Sequence, residues 1–202
     1  MRRPAALLTV LATLAATATA GLAQSPPAGG GPSQNVNVDN GNAGTVLARA
    51  GVQVARSGGQ NASPSNLAHA NAHDCTKPCQ AIAAAFQVVL VPQNAPVQAP
   101  QNVAVATNIN CTGCGAFAYA YQYVVTVAKA TTLDASAHAQ IVAVRREADQ
   151  DVHAGLDYPT LDSRLHLLAQ RLRAAVDGGL TRQGVGESDK HSNQDLKEGP
   201  KS

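Results

Sequence analysis

The sequence predicts an α+β protein in which a small duplicated antiparallel β-unit with disulfides is followed by a C-terminal helical hairpin and flanked by disordered tails. Three observations predict it. Two cysteine-bearing segments align with each other; inside each, bulky and small residues alternate with period two; and downstream of both the apolar residues recur at three- and four-residue steps.

The chain opens with Arg2 and Arg3 ahead of "PAALLTVLATLAATATA", a basic start followed by an apolar stretch and small residues. This pattern predicts a secretory signal peptide over residues 1–23, with cleavage after Ala20 or Ala23. No later run is long and apolar enough for a second anchor, so no stable membrane insertion is expected after cleavage. The chain carries 15 Lys+Arg and 13 Asp+Glu, and loss of Arg2 and Arg3 leaves it close to neutral. A near-neutral chain without a basic patch argues against nucleic acid as a partner. Four cysteines in an exported chain favour disulfides over free thiols.

Residues 24–44, "QSPPAGGGPSQNVNVDNGNAG", are rich in Pro, Gly, Asn and Ser and are expected to form a disordered leader. Residues 45–130 form the expected duplicated β-domain. "NLAHANAHDCTKPCQAIAAAFQVV", starting at Asn66, aligns with "NVAVATNINCTGCGAFAYAYQYVV", starting at Asn102. Asn66, Ala68, Ala70 and Cys75 match Asn102, Ala104, Ala106 and Cys111 at a separation of 36. Cys79, Phe86, Gln87 and Val89 match Cys114, Tyr121, Gln122 and Val124 at a separation of 35. Two copies are too few for a solenoid, which favours a compact β-unit built of strand, cysteine-bearing turn and strand.

Within the second copy Phe117, Tyr119, Tyr121, Tyr123, Val125 and Val127 share one parity, with small residues on the other. Five of the six aromatic residues lie on this repeated face. Tyr119, Tyr121 and Tyr123 are a candidate binding face if exposed, and core between sheet and helices if not. "VPQNAPVQAPQ" connects the copies.

From Leu133, the residues Ala137, Ile141, Val144, Ala148 and Val152 mark an amphipathic helix, with Asp134 or Thr132 available as its cap. A break from Gly155 to Pro159 precedes a second stripe, Leu161, Leu165, Leu168 and Leu172. The two make a helical hairpin over residues 131–177, with an isolated coiled-coil pair as the alternative. Residues 178–202 are polar and are expected to form a disordered tail.

The cysteines Cys75, Cys79, Cys111 and Cys114 admit three kinds of chemistry. Thioredoxin-type redox work needs a helix N-terminus after the pair, whereas here a strand follows. Zinc could take four thiolates, but "CTKPC" is one residue longer than a regular knuckle, and export sets metal against oxidation. Structural disulfides are the favoured reading. Local bridges would each contribute on the order of 2 kcal/mol, and cross-repeat bridges, which geometry allows, roughly 4 kcal/mol. The unequal spacing favours closure within each turn.

Other candidate chemistry is weak. His69 and His73 have the spacing of a helical zinc motif, but Ala70 stands where its Glu belongs. On a strand the two lie roughly 13 Å apart. Ser136 and Ser163 lack a His and Asp constellation, and Asp149, Asp151, Asp157 and Asp162 read as solvated helix faces and turns. No catalytic residue, metal ligand or cofactor is therefore assigned.

"CQAIAAAFQVVLV" and "NVAVATNINCTGCGAFAYAYQYVVTV" resemble a Cys-paired extracytoplasmic segment of high-GC bacterial proteins classed as peptide zinc metalloproteases, and of free-standing secreted relatives. The similarity spans about Asn66 to Asp151. The His-Glu-x-x-His motif and membrane helices of such peptidases are missing here, so the resemblance implies a shared extracellular module of unassigned function and does not carry peptidase activity over to this chain. The expectation is a secreted, extracytoplasmic and non-enzymatic structural or interaction module whose partner is a cell-surface protein or wall polymer. An exported thiol redox or zinc-binding protein using the two cysteine pairs is the alternative.

Overall fold

The computed structural model describes residues 31–57, 62–93, 95, 99–127, 132–182, 190–191 and 196–198. The expected signal peptide lies outside them. The elements run β1 (Ser33–Asn40), β2 (Val46–Arg56), β3 (Ser65–His73), β4 (Gln80–Pro92), β5 (Gln101–Ile109), β6 (Gly115–Val127), α1 (Ala135–His153), α2 (Tyr158–Arg182), β7 (Lys190–His191) and β8 (Leu196–Glu198).

The first six strands form three strand–turn–strand layers. The leading strands make one sheet in the order β1-β3-β5, and the following strands make a second in the order β2-β4-β6. Every one of these pairings is parallel. The expectation of an antiparallel unit is thus corrected. Each turn carries the chain across from the first sheet to the second, so the two strands of a layer face each other instead of pairing. Alternation specifies which face of a strand is apolar, and that pattern is the same in both arrangements. The register puts Asn66 beside Asn102 and Ala68 beside Ala104. It also puts Phe86 beside Tyr121 and Gln87 beside Gln122.

A layer also precedes the two found by alignment. Gln34 pairs with Asn66 and Val36 with Ala68, while Val52 pairs with Phe86 and Gln53 with Gln87. The expected leader therefore contains β1. Its Val36 and Val38 are buried between the sheets, and the asparagines that alternate with them point to solvent. No cysteine marks this layer, which hid it from the alignment.

The space between the sheets is filled almost wholly by alanine: Ala68, Ala70 and Ala72, with Ala104 and Ala106, face Ala81, Ala83, Ala85, Ala116, Ala118 and Ala120. The first layer needs a glycine here, because a Cβ on Gly51 would come within 2.8 Å of Val36 Cγ2. The opposite face of the second sheet carries Ile82, Phe86, Val88, Phe117, Tyr119, Tyr121 and Tyr123, packed against the apolar stripes of α1 and α2. Both faces of β4 and β6 are covered, as parallel sheets require.

Polar ladders run through the stack. Gln122 Nε2 donates to Gln87 Oε1 at 2.7 Å, and Gln87 Nε2 donates to Gln53 Oε1 at 2.8 Å. Asn66 Nδ2 donates to Asn102 Oδ1 at 2.8 Å and to Tyr121 O at 3.0 Å, and Asn102 Nδ2 donates to Ala120 O at 3.1 Å. Identical amides one strand apart present a donor to an acceptor, which pairs most of these groups along the stack and leaves Asn66 Oδ1 and Gln122 Oε1 without a partner among the described residues.

The hairpin follows the sequence closely. Asp134 caps α1, accepting from Ala137 N at 2.7 Å. Gly155, at φ +66°, opens the turn between the helices. The second helix continues through Gly178–Gly179 to Arg182, past the expected end at residue 177. A Cβ on Gly179 would lie 2.6 Å from Ala137 Cβ, so the glycine permits close approach of α1 and α2. The expected tail also contributes β7 and β8, which pair antiparallel with the outer edge of β6. Among the described residues no helix is long and apolar enough to cross a membrane.

Candidate functional site

Asp74 and Asn110, each immediately before the first cysteine of its turn, both adopt φ +51°. Asp and Asn enter this left-handed region more readily than other side-chain-bearing residues. Their shared conformation aims the two cysteine turns the same way, and Asn110 Nδ2 donates to Asp74 Oδ1 at 3.2 Å across the layers. Hydrogen bonds from His73 and then Asn110 hold the Asp74 carboxyl below the usual carboxylate range. Gly113, at φ +74°, completes the tighter turn and lies under the Pro78 ring, with 3.4 Å between Pro78 Cγ and a Cβ placed there.

The disulfides are local, Cys75 with Cys79 and Cys111 with Cys114. They also lie one above the other. Cys79 Sγ is 3.4 Å from Cys114 Sγ and 3.9 Å from Cys111 Sγ, and Cys79 N–H donates to Cys114 Sγ at 3.2 Å. All four sulfurs fall within 4.8 Å of one another. Cys75 and Cys79 are buried, whereas Cys111 and Cys114 are half-buried at the third layer. Sequence spacing showed two pairs; only the parallel stack makes them one cluster.

The first layer closes its turn without sulfur. Fully buried Asn40 donates to Gln80 O at 2.7 Å and Thr45 O at 3.2 Å, and its Oδ1 accepts from Asn42 N and Thr45 Oγ1. In the sequence Asn40 falls in the expected disordered leader, which gives no signal for it.

Tyr119, Tyr121 and Tyr123 do not form an open binding face. All three are buried, Tyr121 with 8% exposure, and Phe86 lies 5.4 Å from Tyr119 and 6.4 Å from Tyr121 between ring centroids. The hairpin covers the rings, its apolar stripes packing on the same face with Phe86 and Phe117. Tyr123 Oη donates to Asp177 Oδ1 at 2.6 Å, and Arg173 lies 5.1 Å above its ring. Burial, with Asp177 adding to it, pushes the Tyr123 hydroxyl well above the ordinary tyrosine range.

The outward face of the first sheet is the open one. His69 Nδ1 lies 2.8 Å from Asn37 Oδ1, Asn71 Nδ2 donates to Asp39 Oδ1 at 2.8 Å, and Thr107 Oγ1 donates to Asn71 Oδ1 at 2.8 Å. His73 Nε2 lies 3.1 Å from Asp39 Oδ1, and its Nδ1 lies 3.1 Å from Asp74 Oδ2. Both histidines thus sit on β3, each held by a neighbouring strand or turn. On the helices Ser163 Oγ donates to Pro159 O, Asp157 accepts from Thr160 N, and Asp151 meets Arg164 at 3.2 Å. These side chains serve helix structure. No known family matches the chain, and no characterised protein or solved structure matches it either, so the cysteine cluster and the polar face are read from their own geometry.

Proposed function

We infer that the chain is a secreted, non-enzymatic module of the cell exterior that binds a wall glycan along the outward face of its first sheet. The observation that carries this reading is the cross-strand row formed by Asn37, Asp39, His69, Asn71, His73 and Thr107. These groups offer amide, imidazole, carboxylate and hydroxyl functions at strand spacing, about 4.8 Å, on a rigid support. Sugar hydroxyls, which both donate and accept, match such a row. Local disulfides in two of the three turns suit an oxidising exterior. Matched ladder positions, such as Gln87 beside Gln122, support reading the layers as copies of one unit. The resemblance to extracytoplasmic Cys-paired segments points the same way.

Co-sedimentation of the full chain with insoluble cell-wall polysaccharide tests the proposal. The wild type should pellet with the polymer, and Asn37→Ala combined with Asn71→Ala should stay in solution while melting like the wild type. Equal pelleting of the two proteins, or none by either, would refute this surface.

A further inference from the structure

We propose that the four cysteines form a redox-gated tetrathiolate zinc site. Zinc bound to four thiolates at about 2.3 Å places the sulfurs on a tetrahedron with edges of about 3.8 Å. Two sulfur separations between layers, 3.4 Å for Cys79–Cys114 and 3.9 Å for Cys79–Cys111, lie on either side of that edge. Within each turn the Cα atoms are 6.3 Å and 5.7 Å apart. Once the disulfides open, rotation about χ1 can separate each pair to the same edge without moving the backbone. Cys75 and Cys79 are buried, and the half-buried Cys111 and Cys114 leave an approach from the third layer.

The surroundings suit a metal thiolate. The Cys79 N–H aimed at Cys114 Sγ across the layers would support a charged sulfur, and supporting hydrogen bonds of this kind tune ligand sets.

The chemistry has two steps. Two molecules of a dithiol reductant each deliver two electrons and two protons to one disulfide, closing to disulfides themselves and leaving four cysteine thiols. One Zn²⁺ then displaces four thiol protons to solvent. Disulfides and zinc are therefore mutually exclusive occupants of the same four sulfurs. The oxidised form ties each turn locally, and the zinc form ties the second layer to the third.

The full chain, reduced anaerobically with excess dithiol and freed of it, should bind one Co²⁺ per chain with the visible bands of tetrahedral thiolate coordination. Zn²⁺ should displace the cobalt, and four titratable thiols should disappear on loading. The untreated disulfide form should bind none. Should reduction unfold the chain, added Zn²⁺ should restore its circular dichroism. Replacing both Cys75 and Cys79 by Ser should weaken binding by more than the roughly 100-fold that losing a supporting group costs. The site is overturned by any of three results: reduced chain that neither binds cobalt nor refolds with zinc, one metal shared by two chains, or wild-type affinity in the double variant.

Discussion

Replacing Gln87 by Leu removes the middle rung of the buried glutamine ladder. The two protons on Gln87 Nε2 serve Gln53 Oε1 at 2.8 Å, Ser65 O at 3.1 Å and Pro32 O at 3.2 Å, and Gln87 Oε1 accepts from Gln122 at 2.7 Å. Counting three effective hydrogen bonds at about 1 kcal/mol each, the loss is about 3 kcal/mol. The apolar side chain returns about 1 kcal/mol by burial, leaving a net cost of about 2 kcal/mol. Gln122 is the end rung. Its Nε2 serves Gln87 Oε1 and Gln101 O, and its own Oε1 has no partner among the described residues. Two bonds are lost in Gln122→Leu, so its net cost is about 1 kcal/mol. Because one bond is common to both, the double variant should cost about 1 kcal/mol less than the sum of the singles. Urea denaturation of the four proteins measures all three quantities. Equal costs at the two positions, or strict additivity, would show that the amides do not act as a connected ladder.

Tyr123→Phe removes the hydrogen bond to Asp177, and loss of a bond to a charged acceptor should cost about 1.5–3 kcal/mol in thermal or urea denaturation. The raised hydroxyl pKa has a definite sign: the tyrosine favours its protonated form when folded, so its contribution is complete below about pH 10 and lost as pH rises beyond. Wild-type stability should therefore fall with alkaline pH more steeply than that of Tyr123→Phe, and parallel curves would contradict this. Gly179→Ala should destabilise by about 1–2 kcal/mol despite alanine's better helix propensity, because its Cβ meets Ala137 across the helix interface. A higher melting temperature would show that the helices separate freely.

Much of the local structure was legible. Asp134, the stripe from Ala137 to Val152 and the Gly155 break predicted α1 and its turn, since capping and period 3.6 are local properties. The matched cysteine segments located β3 to β6. The unequal cysteine spacings already favoured the local bridges found in the structure. The first layer was missed because its valines sit among Asn and Gly, a composition that reads as an unstructured leader. Its Asn40 staple does with hydrogen bonds what the later turns do with sulfur. In retrospect β4 and β6 carried a further signal. Both parities of "AIAAAFQVVLV" and of "AFAYAYQYVV" are largely nonpolar, as expected for strands covered on two faces.

By itself the sequence determined β3 to β6, their small and bulky faces, the two cysteine turns and the two helices, because each follows from the chain's own periodicity and backbone preferences. The tertiary structure decided which strands are neighbours. Period two is blind to pairing direction, and parallel stacking alone places Asn37 beside His69, seals Tyr119, Tyr121 and Tyr123 under the hairpin, and draws Cys75, Cys79, Cys111 and Cys114 into one cluster.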